Sequence, residues 1–299
     1  MNLTAESGEN SQKSNQLKIP KVQIKNVLEK LYDKYNHREL IKPDPLQFVY
    51  HYSKPADKEI AAFLAAELAY GRVQQIQKSL TDLLGRMGAS PFEFVLNFDK
   101  QKRRKLKNFK HRFTAGDDIS DLLELLKKVL NQHGSIEEFF VQGYKPEDKN
   151  IIAALSIFCN SLLDMYAKTH TSPASTQLNY LLTRPAAGSA CKRLNLFLRW
   201  MVRSDDVDTG LWKRIDKAKL IVPVDIHMSR LCGILGFHNL KTVSLAMAVR
   251  ITDAFKEIEP ADPVKYDFAL SRIGILDNCT GRRRSGCEFC ELFKFCSRR

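Results

Sequence analysis

The stretch Arg184-Pro-Ala-Ala-Gly188-Ser-Ala-Cys-Lys192-Arg-Leu-Asn195-Leu-Phe-Leu-Arg-Trp200 runs from a tight turn straight into an apolar helix. Pro185 fixes one backbone angle, and the small residues after it let the chain reverse within a few positions. After a polar connection comes Ile221-Val-Pro-Val-Asp225-Ile-His-Met-Ser-Arg230-Leu. Asp225 stands just before the next helical pattern, so its carboxylate is expected to cap that helix against the positive end of the dipole. Lys192 at one helix start and Asp225 at another predict an amine and a carboxylate facing each other across a cleft. Such a pair suits a nucleophile with an acid–base partner. Capping alone is the plainer reading of Asp225, and this stretch leaves both open.

The 299-residue chain carries 47 Lys and Arg against 34 Asp and Glu, a formal net charge of +13 with a pI near 9.4. That excess points to a polyanionic partner, nucleic acid before an anionic membrane surface. No run approaches the roughly 18 apolar residues of a membrane-spanning helix. Residues 1–16 are polar and lack the apolar core of a secretory signal. Four of the seven cysteines fall within the last 21 residues. Without a secretory signal, that crowding predicts a metal site in a reducing compartment and not a disulfide framework.

Along the chain, residues 1–19 have little to bury and are expected to be a disordered tail. Val22, Ile24, Val27, Leu28, Leu31 and Tyr32 then recur near helical spacing, and Pro43 and Pro45 close that unit. Asp57 is expected to open an Ala-rich helix through 60–70 that Gly71 stops, and its small residues predict a buried central helix. Val73, Ile76, Leu80, Leu83 and Met87 form the face of the next. Ser90-Pro91 with Glu93, and Ser135 with Glu138, read as capped helix starts. Between them, residues 100–112 hold eight Lys and Arg. This run is either a solvated helix face or a nucleic-acid contact. Residues 119–130 form an amphipathic pattern stopped near Gly134, and 151–165 an apolar one with Cys159 as a core thiol. Residues 169–176 read as a polar loop. Helices are expected again over 243–255 and 263–275. No period-2 alternation and no internal repeat stands out, so the chain reads as all-α.

Cys279, Cys287, Cys290 and Cys296 follow the spacing C-x7-C-x2-C-x5-C, four thiols within 18 residues. Such short gaps can close around one ion or cluster. Zinc usually brings two close pairs, and here only Cys287 and Cys290 form one, which leans towards an iron–sulfur cluster with zinc as the alternative. The bland reading is four unrelated core cysteines. Arg282, Arg283 and Arg284 lie inside the first gap, where three guanidinium groups would make a ready phosphate contact.

Taken in this order, the residues resemble the helix-hairpin-helix (HhH-GPD) DNA glycosylase superfamily typified by endonuclease III. That superfamily pairs a hairpin, a lysine on the following helix and a Val-Asp-x-His segment with a C-terminal four-cysteine iron–sulfur loop. Val224-Asp225-Ile226-His227, Arg230 and the four cysteines match in order. The Ala-rich helix and the turn Tyr70-Gly71-Arg72-Val73 look like the superfamily's early helix pair, whose turn approaches the damaged base. The resemblance covers most of 57–98 and 180–296, and it looks closest to a bacterial branch described only as a family of unknown function.

The resemblance implies a two-lobed all-α fold. One helical lobe would span 57–205 and include the hairpin; the other would combine 20–56 with 206–299 and the cluster loop. It implies a monomer in the cytoplasm, associated with the nucleoid, acting on double-stranded DNA with a [4Fe–4S] cluster on the four cysteines. Asp225 would stabilise positive charge on the sugar, Lys192 would be the nucleophile, and the amides near Gly188 and Ser189 would hold a phosphate. His227 reads better as a helix-face or core histidine than as a catalyst. Tyr70, Trp200 and Trp212 read better as core than as base-stacking groups.

There are departures from the pattern. The superfamily hairpin is usually Leu-Pro-Gly-x-Gly, whereas here only Gly188 is glycine. Setting Gly188 on the first glycine brings Lys192 onto the catalytic lysine and Asn195 onto a superfamily asparagine. Setting it on the second brings Ala190 there instead, with no amine. The first register matches two residues and is preferred. Residues 204–219 read as an insertion, the first cysteine gap is one residue longer, and 99–179 match nothing. The expected function is a base-excision DNA glycosylase, with strand-cleaving lyase activity if Lys192 is the nucleophile. The alternative is a non-catalytic DNA- or RNA-binding protein on the same scaffold.

Overall fold

A computed structural model describes residues 21–277 and 279–296. The segment 1–19, expected to be a disordered tail, lies outside the described residues. The protein is mostly helical. In chain order the helices are α1 (Lys21–Tyr35), α2 (Pro55–Glu67), α3 (Val73–Met87), α4 (Pro91–Leu96), α5 (Lys100–Leu106), α6 (Gly116–His133), α7 (Ile136–Phe140), α8 (Ile152–Ala167), α9 (Thr176–Leu181), α10 (Lys192–Val202), α11 (Ile226–Ile234), α12 (Leu245–Lys256) and α13 (Asp267–Ile275). Among the described residues, no helix is long and apolar enough to cross a membrane.

Burial follows the sequence pattern closely. On α1 the buried stripe is Ile24, Leu28, Leu31 and Tyr35, the spacing of one helix face. Helix α1 packs on α13, so the first and last α-helices of the described residues meet. Helix α2 is enclosed all round from Ile60 to Ala66. Its alanines let α10 approach closely, and each large side chain it buries, such as Phe63, contributes about 1.5–3 kcal/mol.

Caps set the short helices. Ser90 and Ser135 each accept a bond from the backbone N–H three residues on, at α4 and α7. Asp57 departs from expectation. It does not cap α2, which starts at Pro55; its carboxylate instead accepts from the Ser90 hydroxyl and the Phe92 N–H, closing the start of α4. The structure is consistent with the all-α expectation, with one small sheet beside the helices. Strands β1 (Lys110–His111) and β2 (Thr114–Ala115) form an antiparallel hairpin pairing His111 with Thr114. Two residues per strand are too few for an alternation to show in the sequence.

Candidate functional site

The site is built on the segment from α9 to α10. Ser175 caps α9, and a 3-10 turn over Pro185–Ala187 ends at Gly188, whose φ of 76° suits glycine. Ser189 Oγ then accepts from the Cys191 N–H at 3.2 Å. Cys191 itself sits at φ 45°, ψ 40°, a left-handed conformation strained for a side-chain-bearing residue. Two bonds hold this turn in place. Leu245 N–H at the head of α12 donates to the Gly188 carbonyl at 2.9 Å, and Asn195 Nδ2 donates back to the Ala190 carbonyl at 2.9 Å. Lys192 is therefore the first residue of α10, half-buried, with its Nζ donating to the Ala69 carbonyl at 3.1 Å. Ala190, the lysine position of the other register, is buried and lies before the helix.

Asp225 caps α11 as expected, accepting from the Met228 N–H at 2.8 Å. It also lines, together with Lys192, a cleft of about 510 Å³. The lining includes Tyr70 and Gly71 from the turn after α2, and His227. Sequence reasoning missed the charged floor of this cleft: buried Arg199, Asp267 and Arg272 with half-buried Asp44. Arg272 pairs with Asp44 at 3.4 Å, and Arg199 with Asp267 at 2.5 Å. Burial pushes the Asp267 carboxyl up from its ordinary value and Arg199 pulls it down. Asp225 and Lys192 act on that same carboxyl with opposite signs, which puts both cleft groups within electrostatic reach of it. No local pattern could have found this floor, because Asp44 and Arg272 meet only in the folded chain.

The secondary candidates divide. Trp200 and Trp212 are core residues, and Trp212 Nε1 donates to buried Glu59 at 2.7 Å. Tyr70 instead faces the cleft. His227 lines it too, and its Nδ1 is buried without a hydrogen-bond partner among the described residues.

The four cysteines Cys279, Cys287, Cys290 and Cys296 all line one small, almost wholly apolar cavity of about 50 Å³ under α11 and α13. The Arg284 N–H donates to Cys287 Sγ at 3.4 Å. Burial pushes the Cys290 thiol up. Arg230 of α11 ties the loop down through the Cys279 carbonyl at 3.0 Å, with its side chain lying against Gly281. Arg282, Arg283 and Arg284 are exposed; Arg284 donates to the Asp277 carbonyl, while Arg282 and Arg283 border an open polar groove of about 780 Å³. In the run 100–112, Arg103 is committed to Asp121 and Glu124.

Residues 44–276 match the model of a family described as protein of unknown function (DUF2400), and the chain belongs to that family. The cysteine loop follows the matched residues. No curated protein and no solved structure matches the chain.

Proposed function

We propose that this family member is a base-excision DNA glycosylase that takes a damaged base, extruded from double-stranded DNA, into the Lys192–Asp225 cleft. The observation that carries the reading is that these two residues, from separate helices, line one cleft. A base inside a duplex must leave the stack before its glycosidic bond can be reached. In the cleft the Asp225 carboxylate opposes the positive charge that develops on the sugar as that bond breaks. The Lys192 amine, once it has given up its extra proton, attacks C1′ as the base departs with the bonding electron pair and takes up a proton. The C1′–O4′ bond then opens, O4′ takes a proton from the attached amine, and a Schiff base to the ring-opened sugar remains. Lys192 must first exchange its bond to the Ala69 carbonyl for the sugar. The amides around Gly188 and Ser189 would hold a flanking phosphate, and Arg282 and Arg283 would meet the backbone further off; Arg284 would need to leave Asp277.

The cysteine loop fits a [4Fe–4S] cluster held by Cys279, Cys287, Cys290 and Cys296. What supports this reading over four unrelated core cysteines is that all four line one apolar cavity and that Cys287 Sγ has an amide donor; zinc is the alternative. Such a cluster would staple the loop that presents the arginines.

A second reading, a non-catalytic nucleic-acid-binding protein, is favoured by the structural bonds that both residues already make. One experiment separates them. Duplexes carrying an oxidised purine, an oxidised pyrimidine or an alkylated base are incubated with anaerobically purified, iron-containing protein, with borohydride added during turnover. Release of one of these bases and a trapped protein–DNA adduct are expected. Asp225→Asn should suppress release by roughly 100-fold or more, and Lys192→Gln should abolish trapping with duplex binding retained. Binding to every duplex with release from none would establish the second reading. Trapping that survives Lys192→Gln would place the nucleophile elsewhere.

A further inference from the structure

Five of the nine exposed large hydrophobics among the described residues gather around the cleft. Val73, Ile226 and Val243 line it, and Tyr180 lines an adjoining cleft of about 220 Å³ that Lys192 also borders. The fifth, Phe113, sits at the tip of the β1–β2 hairpin and is 47% exposed. One face of its ring stacks on Tyr70 at 5.2 Å with an interplanar angle of 23°, and Tyr180 meets it edge-on at 5.2 Å. Tyr70 and Lys192 line both clefts, so the hairpin tip packs against a residue of the wall that the two clefts share.

The tip is rigid. The Tyr70 hydroxyl bonds the His111 carbonyl at 3.1 Å and Thr114 Oγ1 at 2.6 Å. The His111 imidazole bridges Ser79 Oγ and the Tyr70 carbonyl. Arg112, before Phe113, is held at φ 55°, where a glycine would be free of strain. Its side chain crosses Gly71 so closely that a Cβ there would lie 2.7 Å from it. Two guanidinium groups accompany the rings: Arg112 stands 5.7 Å from the Phe113 ring, and Arg193 stands 4.1 Å from that of Tyr180. A strained turn fixed by three side chains and left with a half-exposed phenyl is poorly explained by packing, since a polar residue would serve the turn better.

We propose that Phe113 is a stacking platform for an unpaired nucleobase, so that the substrate class is DNA with an unpaired base beside the target, in preference to fully paired duplex. This rests on the nucleic-acid reading of the cleft and narrows it. A base within a duplex has both faces covered by its neighbours, whereas a bulged base has a face to offer. Stacking on an exposed aromatic ring strengthens binding by roughly fivefold to a hundredfold per base, whatever the base. Arg112, exposed beside the ring, would supply a phosphate contact that keeps the backbone there.

The test measures binding of the full chain, by fluorescence anisotropy, to a labelled duplex and to the same duplex with a one-nucleotide bulge. The bulged duplex should bind at least about fivefold more tightly. Phe113→Leu, which keeps an apolar side chain without a π face, should remove that preference and leave matched-duplex affinity unchanged. Phe113→Trp should retain it. Equal binding of the two duplexes, or an equal loss on both in Phe113→Leu, overturns the platform. If those results accompany Asp225-dependent base release, the glycosylase reading stands without it. A bulge preference that depends on Phe113, with no base released from any lesion, leaves the platform standing and removes the glycosylase. Failure to bind either duplex removes both.

Discussion

Helix α10 carries basic residues at both ends, and its two ends are built on opposite terms. At the C-terminal end, Arg199 and Arg203 are buried among carboxylates. Arg199 meets Asp208 and Asp267, and Arg203 meets Asp205, Asp208 and Asp262. At the N-terminal end, Lys192 bonds only a backbone carbonyl in the described structure, and Arg193 faces one carboxylate, Glu67, at 3.4 Å. Glu67 is buried, and neither of its carboxylate oxygens has a hydrogen-bond partner among the described residues. Two guanidinium groups beside four carboxylates tie the 204–209 turn to α13 through Arg199. An amine left with one carbonyl, at the mouth of a cleft, is free to change partners. The difference separates charge committed to architecture from charge that, on the proposed reading, meets a ligand.

The strongest challenge to this contrast is Arg203→Ala. It would leave buried Asp208 with Arg199 alone and Asp262 with only Lys217, at 3.6 Å, and removing one partner of a buried pair costs about 3–5 kcal/mol. The urea unfolding midpoint should fall accordingly. A loss below about 1 kcal/mol would mean that the network contributes no more than a surface pair.

Glu67 sharpens the contrast through pH. Burial pushes its carboxyl up from 4.5 to about 7, against the pull of Arg193. Between those values the folded protein holds a proton that the unfolded chain has released. Stability from this group is therefore full below about 4.5 and declines as pH rises to about 7, by roughly 1.4 kcal/mol per pH unit and about 3 kcal/mol in all. Glu67→Gln has no proton to lose, and Arg193 keeps its bonds to the Glu67 and Tyr180 carbonyl oxygens in such a variant. It should match the parent near pH 4.5 and exceed it by about 3 kcal/mol at pH 8 in urea titrations. An equal difference at both pH values would show that the carboxyl ionises normally.

The smallest effects are expected at the cleft itself. Asp225→Ala removes one helix cap, worth about 1 kcal/mol, and Lys192→Gln should change stability by about 0.5 kcal/mol or less. Thermal unfolding of both variants checks this. A loss as large as that of Arg203→Ala at either position would make the cleft pair another piece of architecture.

Local rules read well in this chain. Ser90, Ser135 and Asp225 cap the helices their spacing indicates, because a cap acts on a backbone N–H two or three residues away. The Ala-rich segment is the enclosed helix that its small residues indicate, and the cysteine spacing brings four thiols to one cavity. The sequence also identified Lys192 and Asp225 as residue types suited to chemistry. Tertiary structure alone decided that they share a cleft, and that Asp44 and Arg272 form part of its floor. It likewise gave Asp57 to α4 and set Phe113 against Tyr70 on a hairpin too short to leave a periodic trace. Periodicity and capping are governed by residues one helical turn apart. Ion pairing, stacking and the walls of a cleft are governed by distance in space, which the order of residues along a chain does not state.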